Sequence, residues 1–307
     1  MSALLVLLLA VALDLFLGEP PARVHPVVLM GRLISFLRDR ARPKKLDGLA
    51  IALVLILASA GIGHLLIVAG NRLEIYGVPL GLLVAVYLLK STFAIRCLLN
   101  TSAKIGCMIR DDMNEARKNL MAMVSRETAN LSPSQATSAV IESLFENFVD
   151  SVLSPIFYFL LFTPFGLGVE AALAFKAIST MDSMLGYRTE ALKEMGFVAA
   201  RLDDLANWLP ARLSLLPMIM SSPMRADEIF NAVRLYHAST PSPNSGWPMA
   251  AGAGALGLRL EKPGVYSIND GGRDPDPSDI PRALGTMGGV ILVTLVLFSM
   301  ALLAGGW

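Results

Sequence analysis

Glu142, Glu146 and Asp150 recur at every fourth residue of a segment whose start carries a strong helix signal, Ser132-Pro133-Ser134-Gln135. Ser at the N-cap, Pro at the first helical position and Gln at the third, reaching back to the cap, open a helix expected to run to about Asp150. At about 100° per residue, a four-residue step drifts by only about 40°, so the three carboxylates share a face. Like charges at this spacing repel. A Mg²⁺ ion reverses that sign, because it takes carboxylate oxygens while keeping waters for substrate phosphates. Asn147 adds a neutral donor or acceptor beside them. The competing reading is a solvated acidic face with Lys and Arg partners, but the array runs straight into an apolar stretch, and charge at a membrane edge calls for a reason.

A second oxygen-rich array is Arg201-Leu202-Asp203-Asp204-Leu205-Ala206-Asn207. By itself it reads as a surface pair of Arg201 with Asp204. Beside the first array it suits chemistry on metal-bound polyphosphate, which often uses two such clusters. The candidate metal ligands are therefore Glu142, Glu146, Asp150, Asp203 and Asp204. Asp182 is a further ligand or a general base, or else a helix cap. Lys176, Arg188, Arg201 and Arg212 are candidates for phosphate or carboxylate contact, the Arg residues offering a planar fork; as the alternative, each anchors a helix end. His25, in Val24-His25-Pro26-Val27, lines a site entrance or shapes a tight turn. Gly252-Ala253-Gly254-Ala255-Leu256-Gly257 fits a dinucleotide fingerprint but follows a Pro-rich loop rather than a strand, so close helix packing explains it better. No G-x-x-x-x-G-K-[ST] is present to hold ATP in a P-loop.

The elements that position these residues belong to an all-α, polytopic membrane protein. Of 307 residues 54% are hydrophobic and 17% charged, against about 25% charged in soluble domains, and the net charge of +1 gives no reason to expect nucleic-acid binding. Two cysteines, Cys97 and Cys107, cannot make a disulfide framework. Apolar stretches long enough to span hydrocarbon are expected at about 48–70, 76–95 and 283–305, with a shorter first span at 2–17 that is preferred over a signal peptide because no Lys or Arg precedes it. Lys90 is expected to snorkel to the headgroups. The fifth stretch, 152–175, is broken by Pro155 and by Thr163-Pro164-Phe165-Gly166, which predicts a re-entrant hairpin rather than a fifth span. Basic residues number seven in 18–47, six in 96–151 and eleven in 176–282, which assigns these segments of a single domain to the cytoplasm and the protein to the cell membrane. Helices are expected over about 169–195 and 198–208, ending before Pro210, then a rigid loop at 241–248 and an irregular loop at 262–281.

The ordered series Asp14-x-x-x-Gly18-Glu19-Pro20, His25-Pro26-Val27-x-x-Met30-Gly31, Glu142-Ser143-x-x-Glu146-Asn147-x-x-Asp150, Thr180-x-Asp182-Ser183-Met184-x-Gly186-Tyr187, Arg201-Leu202-Asp203-Asp204-x-x-Asn207-Trp208-x-Pro210-Ala211-Arg212 and Ser242-Pro243-Asn244-x-Gly246-Trp247-Pro248 closely resembles the CobD/CbiB family of cobalamin biosynthesis, from about residue 12 to 266. Ser179 and Met249 depart from the expected pattern, standing where Asn and Glu are expected. The resemblance implies an integral membrane adenosylcobinamide-phosphate synthase: an ATP-dependent ligase joining a propionate carboxylate of adenosylcobyric acid to aminopropanol or its phosphate. Other membrane-associated cobalamin-assembly enzymes are implied partners, and a homo-oligomer is compatible. Fitted to that reaction, Glu146, Asp203, Asp204, Asp182 and His25 are the catalytic candidates, with Mg²⁺ held against ATP by the two acidic arrays. Asn147, Lys176, Tyr187, Arg188, Arg201, Asn207, Arg212, Asn244 and Trp247 are the substrate-binding candidates, Trp247 and Tyr187 for stacking the flat corrinoid. The alternatives are a Mg²⁺-dependent membrane prenyltransferase, whose acidic motifs these arrays fit only partly, and a non-enzymatic membrane regulator on the same scaffold.

Overall fold

The computed structural model describes residues 2–42, 44–121, 123–124, 127–186 and 193–307. Tyr187 and Arg188 lie outside these described residues. The chain runs through α1 (Ala3–Leu17), α2 (Pro26–Arg38), α3 (Lys45–Gly70), the strands β1 (Glu74–Ile75) and β2 (Val78–Pro79), α4 (Leu80–Lys90), α5 (Ile95–Asp111), α6 (Met113–Leu120), α7 (Pro133–Phe148), α8 (Ser154–Phe162), α9 (Gly168–Leu185) and α10 (Lys193–Ala206). It continues through α11 (Trp208–Leu213), α12 (Leu215–Ser221), α13 (Ala226–Tyr236), α14 (Gly246–Leu256), β3 (Leu260–Lys262), β4 (Tyr266–Ile268) and α15 (Asp279–Ala304). The expected helical fold is what forms. Among the described residues, four helical runs are long and apolar enough to cross a membrane, Lys45–Gly70, Leu80–Asp111, Pro133–Phe165 and Asp279–Ala304, and Ala3–Leu17 is a shorter apolar helix.

Two compact units are distinguished. The first comprises Met1–Arg96, Asp150–Ala206 and Leu297–Trp307. Its centre is α3, which packs on α9, α10, α4 and α2. Gly63 allows one of these approaches, since a Cβ there would sit 2.5 Å from Leu173 Cδ1. The third span starts at Leu80 rather than Tyr76, because Tyr76 (φ 52°) and Gly77 (φ 76°) turn the small β1–β2 hairpin first.

Lys90 does not snorkel. It is fully buried, 3.0 Å from Asp14 Oδ1 and 2.8 Å from Glu19 Oε2. A buried carboxylate on α1 holds the ammonium inward more strongly than the headgroups draw it out.

The stretch beginning near Asp150 turns back at Thr163–Gly166, as its second proline predicts, whereas at Pro155 the helical run continues rather than breaks. Pro155 has no N–H for the carbonyl of Ser151, four residues earlier. The helix answers with a π turn over Val149–Leu153, and the freed Ser151 carbonyl accepts instead from the Ala94 amide at 2.9 Å. After α8, a 3₁₀ turn at Thr163–Phe165 and a left-handed Gly166 (φ 70°) send α9 back alongside it.

The second unit comprises Cys97–Val149 and Asn207–Val296. Ser132 opens α7 with the expected capping box: its side chain accepts from the Gln135 amide and the Gln135 side chain accepts from the Ser132 amide. The buried α7 packs on α14, α6 and β3. A Cβ on Gly252 would lie 2.5 Å from the Phe145 ring, so the Gly-Ala stripe of α14 serves close packing, as its context predicts. Two local expectations are corrected. Residues 262–281 are not wholly irregular: Pro263-Gly264, with Gly264 at φ 73°, turns an antiparallel hairpin whose Leu260 and Ile268 are fully buried. Likewise Pro210 lies within α11 and Pro248 within α14, each in a first turn, where its missing donor removes no helix bond.

Candidate active site

In the first unit the charges of several chemistry-bearing residues act on Lys176, midway along α9. Lys176 keeps some accessible surface although protein surrounds it, the situation of a side chain lining a cleft. The charges acting on it are Asp150 from the π turn, Glu19 from the loop after α1, Asp203 from α10, and Lys90. Three of these four lie where regular helix ends: Asp150 sits in the π turn, Gly18 (φ 74°) ends α1 just before Glu19, and Lys90 ends α4.

His25 and Glu19 form one arm of this network. His25 is the N-cap of α2: its Nδ1 accepts from the Val27 amide at 3.2 Å, which leaves Nε2 to donate to Glu19 Oε2 at 2.9 Å. Burial works to raise Glu19, but the bonds from His25 and Lys90 outweigh it and hold the carboxyl below its ordinary range. Asp14 accepts from the Arg96 amide at 2.8 Å, while the Arg96 guanidinium donates to the Phe16 carbonyl at 2.7 Å, satisfying the end of α1. Tyr158, stacked on Phe175 at 5.3 Å, donates to the Ala206 carbonyl at 3.0 Å and joins α8 to the end of the acidic helix α10.

Asp182 is half-buried near the C-terminal end of α9. Burial, reinforced by the negative charge of Asp204, raises its carboxyl above the ordinary range. That is the direction a general base near neutral pH requires. Arg201 stands apart from this group: its side chain is 68% exposed, 3.8 Å from Asp204 and over the Phe197 ring. The local Arg201–Asp204 pair is thus present.

The second unit carries the other candidates. Arg212 lies over the rings of Trp208 (4.2 Å) and Trp247 (4.8 Å), donating to the Trp208 carbonyl at 2.6 Å and to Asn244 Oδ1 at 3.4 Å. His237 packs on Trp247 with ring centroids 4.5 Å apart. The buried Trp247 Nε1 has no hydrogen-bond partner among the described residues. Asn207, the N-cap of α11, is buried. Glu142 is only 1% exposed, and its carboxylate accepts from Ser138 at 2.7 Å and Tyr266 at 2.5 Å, tying α7 to β4. Asn147 donates to the Ser143 carbonyl and hydroxyl on α7, and Glu146 beside it is half-buried. Met249 is buried in α14, in keeping with its apolar character. Among the described residues no three His, Cys, Asp or Glu side chains close into a metal cage.

Of Glu142, Glu146 and Asp150, the first two lie on α7 and the third lies in the π turn that follows it. Four residues went unrecognised as parts of the constellations: Lys90, Tyr158, Trp208 and His237. A usable signal existed for Lys90, since it and Asp14 are opposite charges in separate apolar spans, and intramembrane charges need partners. Tyr158, Trp208 and His237 carry no such mark.

This arrangement defines a class: a polytopic helical membrane protein with a carboxylate–lysine cluster in its first unit and a guanidinium–aromatic stack in its second. Residues 7–287 match the family described as CobD/Cbib protein. The chain belongs to the CobD/CbiB family of cobalamin biosynthesis. It is similar to the probable cobalamin biosynthesis protein CobD of Methanothrix thermoacetophila, at 49% identity over 97% of this chain and 96% of that protein. The corresponding protein of Methanothermobacter thermautotrophicus is 38% identical over 98% and 97%. The cobalamin biosynthesis protein CobD of Klebsiella pneumoniae is 35% identical over 93% of each chain. No solved structure matches.

Proposed function

We propose that the protein catalyses ATP-dependent amide formation between a propionate carboxylate of adenosylcobyric acid and the amine of aminopropanol or its phosphate, on the cytoplasmic side of the cell membrane. The observation that carries this reading is the first-unit cluster, in which Lys176 is set among Asp150, Glu19 and Asp203 within a membrane-anchored helical unit. A free carboxylate must be activated before an amine attacks it, so phosphate charge accumulates during the reaction and has to be met by cations. Lys176 is placed to meet it. Mg²⁺ carried on ATP supplies further charge neutralisation when bound; Asp150 and Asp203, the two aspartates whose charges act on Lys176, would hold it, which suits an ion that keeps its waters and takes only one or two carboxylates. Glu142 supports α7 from within its bonds to Ser138 and Tyr266, and Glu146 is the ligand candidate beside it.

The amine attacks only when neutral, and Asp182, with its raised affinity for a proton, takes the proton it loses. His25 positions Glu19 against Lys90 and fixes the start of α2. Arg212, with Asn244, Trp208 and Trp247, offers a cationic, flat-faced surface for a carboxylate-rich macrocycle.

The test is to incubate detergent-purified protein with adenosylcobyric acid, ATP, Mg²⁺ and either amine, and to seek the condensed product by mass. Product with one of the amines, dependent on ATP, is expected. No product with either amine from folded protein would favour a regulatory role on the same scaffold. Near-normal turnover in folded Glu146→Gln and Asp204→Asn variants would remove both acidic arrays from the chemistry.

A further inference from the structure

A second polar feature of the first unit takes no part in the proposed reaction. Glu170, in the first turn of α9, is almost fully buried, and His64 of α3 meets it with Nδ1 2.8 Å from Oε1. His64 lies in the apolar run Lys45–Gly70, six residues from its end. Glu170 is buried while the His64 side chain is half exposed, and an ionisable carboxylate within a membrane helix unit needs a reason beyond packing. The pair lines a cavity of about 700 Å³. The cavity opens among the start of α1, the end of α3, the turn between α8 and α9 and the end of α15, represented by Ser2, Asn71, Gly166 and Trp307. Its remaining wall is largely apolar, including Ile67 and Val68. No Lys or Arg lines it among the described residues. Among side chains the pocket therefore offers one carboxylate with its imidazole partner, uncharged polar groups and a hydrocarbon surface at the ends of membrane helices.

We propose that this pocket binds a primary ammonium group carried on a hydrocarbon chain, with the ammonium on Glu170 and the chain along the Ile67–Val68 wall. A carboxylate facing a cavity in which His64 is the one basic side chain among the described lining residues selects a cation that also donates hydrogen bonds. The apolar wall and the position at helix ends select an amphiphile over a hydrated metal ion. His64 holds the Glu170 carboxylate in place and yields part of it to the ligand.

Native mass spectrometry of the full-length protein in detergent tests this, with three probes: dodecylamine, dodecanol, and phosphatidylethanolamine against phosphatidylcholine of identical chains. Binding of dodecylamine or of phosphatidylethanolamine is expected, at least about tenfold tighter than that of dodecanol or phosphatidylcholine respectively, the worth of a charge-assisted hydrogen bond. The arm that responds identifies a free amine or a lipid headgroup as the source. Glu170→Gln should abolish the preference, while His64→Gln, which keeps the carboxylate, should retain it. Equal binding of amine and alcohol and of the two lipids, a preference that survives in folded Glu170→Gln, or its loss in folded His64→Gln would each overturn the proposal. None of these outcomes bears on amide formation, which is read separately.

Discussion

A carboxylate removed from water costs several kcal/mol unless a cation and hydrogen-bond donors meet it. Asp14 meets both conditions, with Lys90 at 3.0 Å and the Arg96 amide at 2.8 Å. Lys90→Met should therefore destabilise the protein by about 3–5 kcal/mol, the cost of leaving one member of a buried pair alone. The double variant with Asp14→Leu should recover most of it, both read as thermal unfolding in detergent. A double variant as unstable as the single one would show that the pair matters through something other than charge compensation. Asp182 supplies a pH signature. A carboxyl raised by burial and by Asp204 must lose its proton to act as a base, so the acid limb of the rate profile should lie above the ordinary aspartate range. Asp204→Asn removes the raising charge, leaving burial alone, and should move that limb to lower pH. An unmoved limb would separate Asp182 from the rate-limiting proton transfer. At this scale the Ser132 capping box and the turn-forming part of His25 were legible, because both are local. The pairing of Lys90 with Asp14 was legible only as two opposite charges in separate apolar spans, since the contact itself forms when α1 and α4 pack together.

Helical periodicity carries information only while the helix remains regular. The four-residue spacing of Glu142, Glu146 and Asp150 was readable, but the π turn that holds Asp150 follows from Pro155 and from an Ala94 amide more than fifty residues away in sequence. Pro155→Ala restores the missing donor and should let a regular α-helix compete for the Ser151 carbonyl. The expected result is turnover lowered by roughly tenfold or more through misplacement of Asp150, with no loss of thermal stability. Unchanged turnover would mean that the π turn only accommodates the proline. Gly252→Ala tests the packing of α14: with its Cβ 2.5 Å from Phe145, it should cost about 1–3 kcal/mol of stability. The prolines at 210 and 248 show why breakers misled in the second unit. A proline in a first turn belongs to the helix it opens, and sequence spacing alone does not say on which side the helix lies.

Across the whole molecule, the low charge content of 17% was enough to separate a membrane protein from a soluble one, and the apolar runs located most of its long helices. The grouping of acidic and basic residues from Glu19, Asp150, Lys176 and Asp203 was legible as a set of motifs, but not as one cluster, because four separated segments build it. Its role is the central claim, and the direct measurement is turnover of adenosylcobyric acid, ATP and amine by Lys176→Met and Asp203→Asn, each verified as folded by size exclusion and thermal unfolding. Charges that stabilise a transferring phosphate are typically worth about a hundredfold or more in rate. Each variant should therefore lose roughly that much condensed product, while full turnover in both would contradict the assignment of this cluster as the catalytic centre.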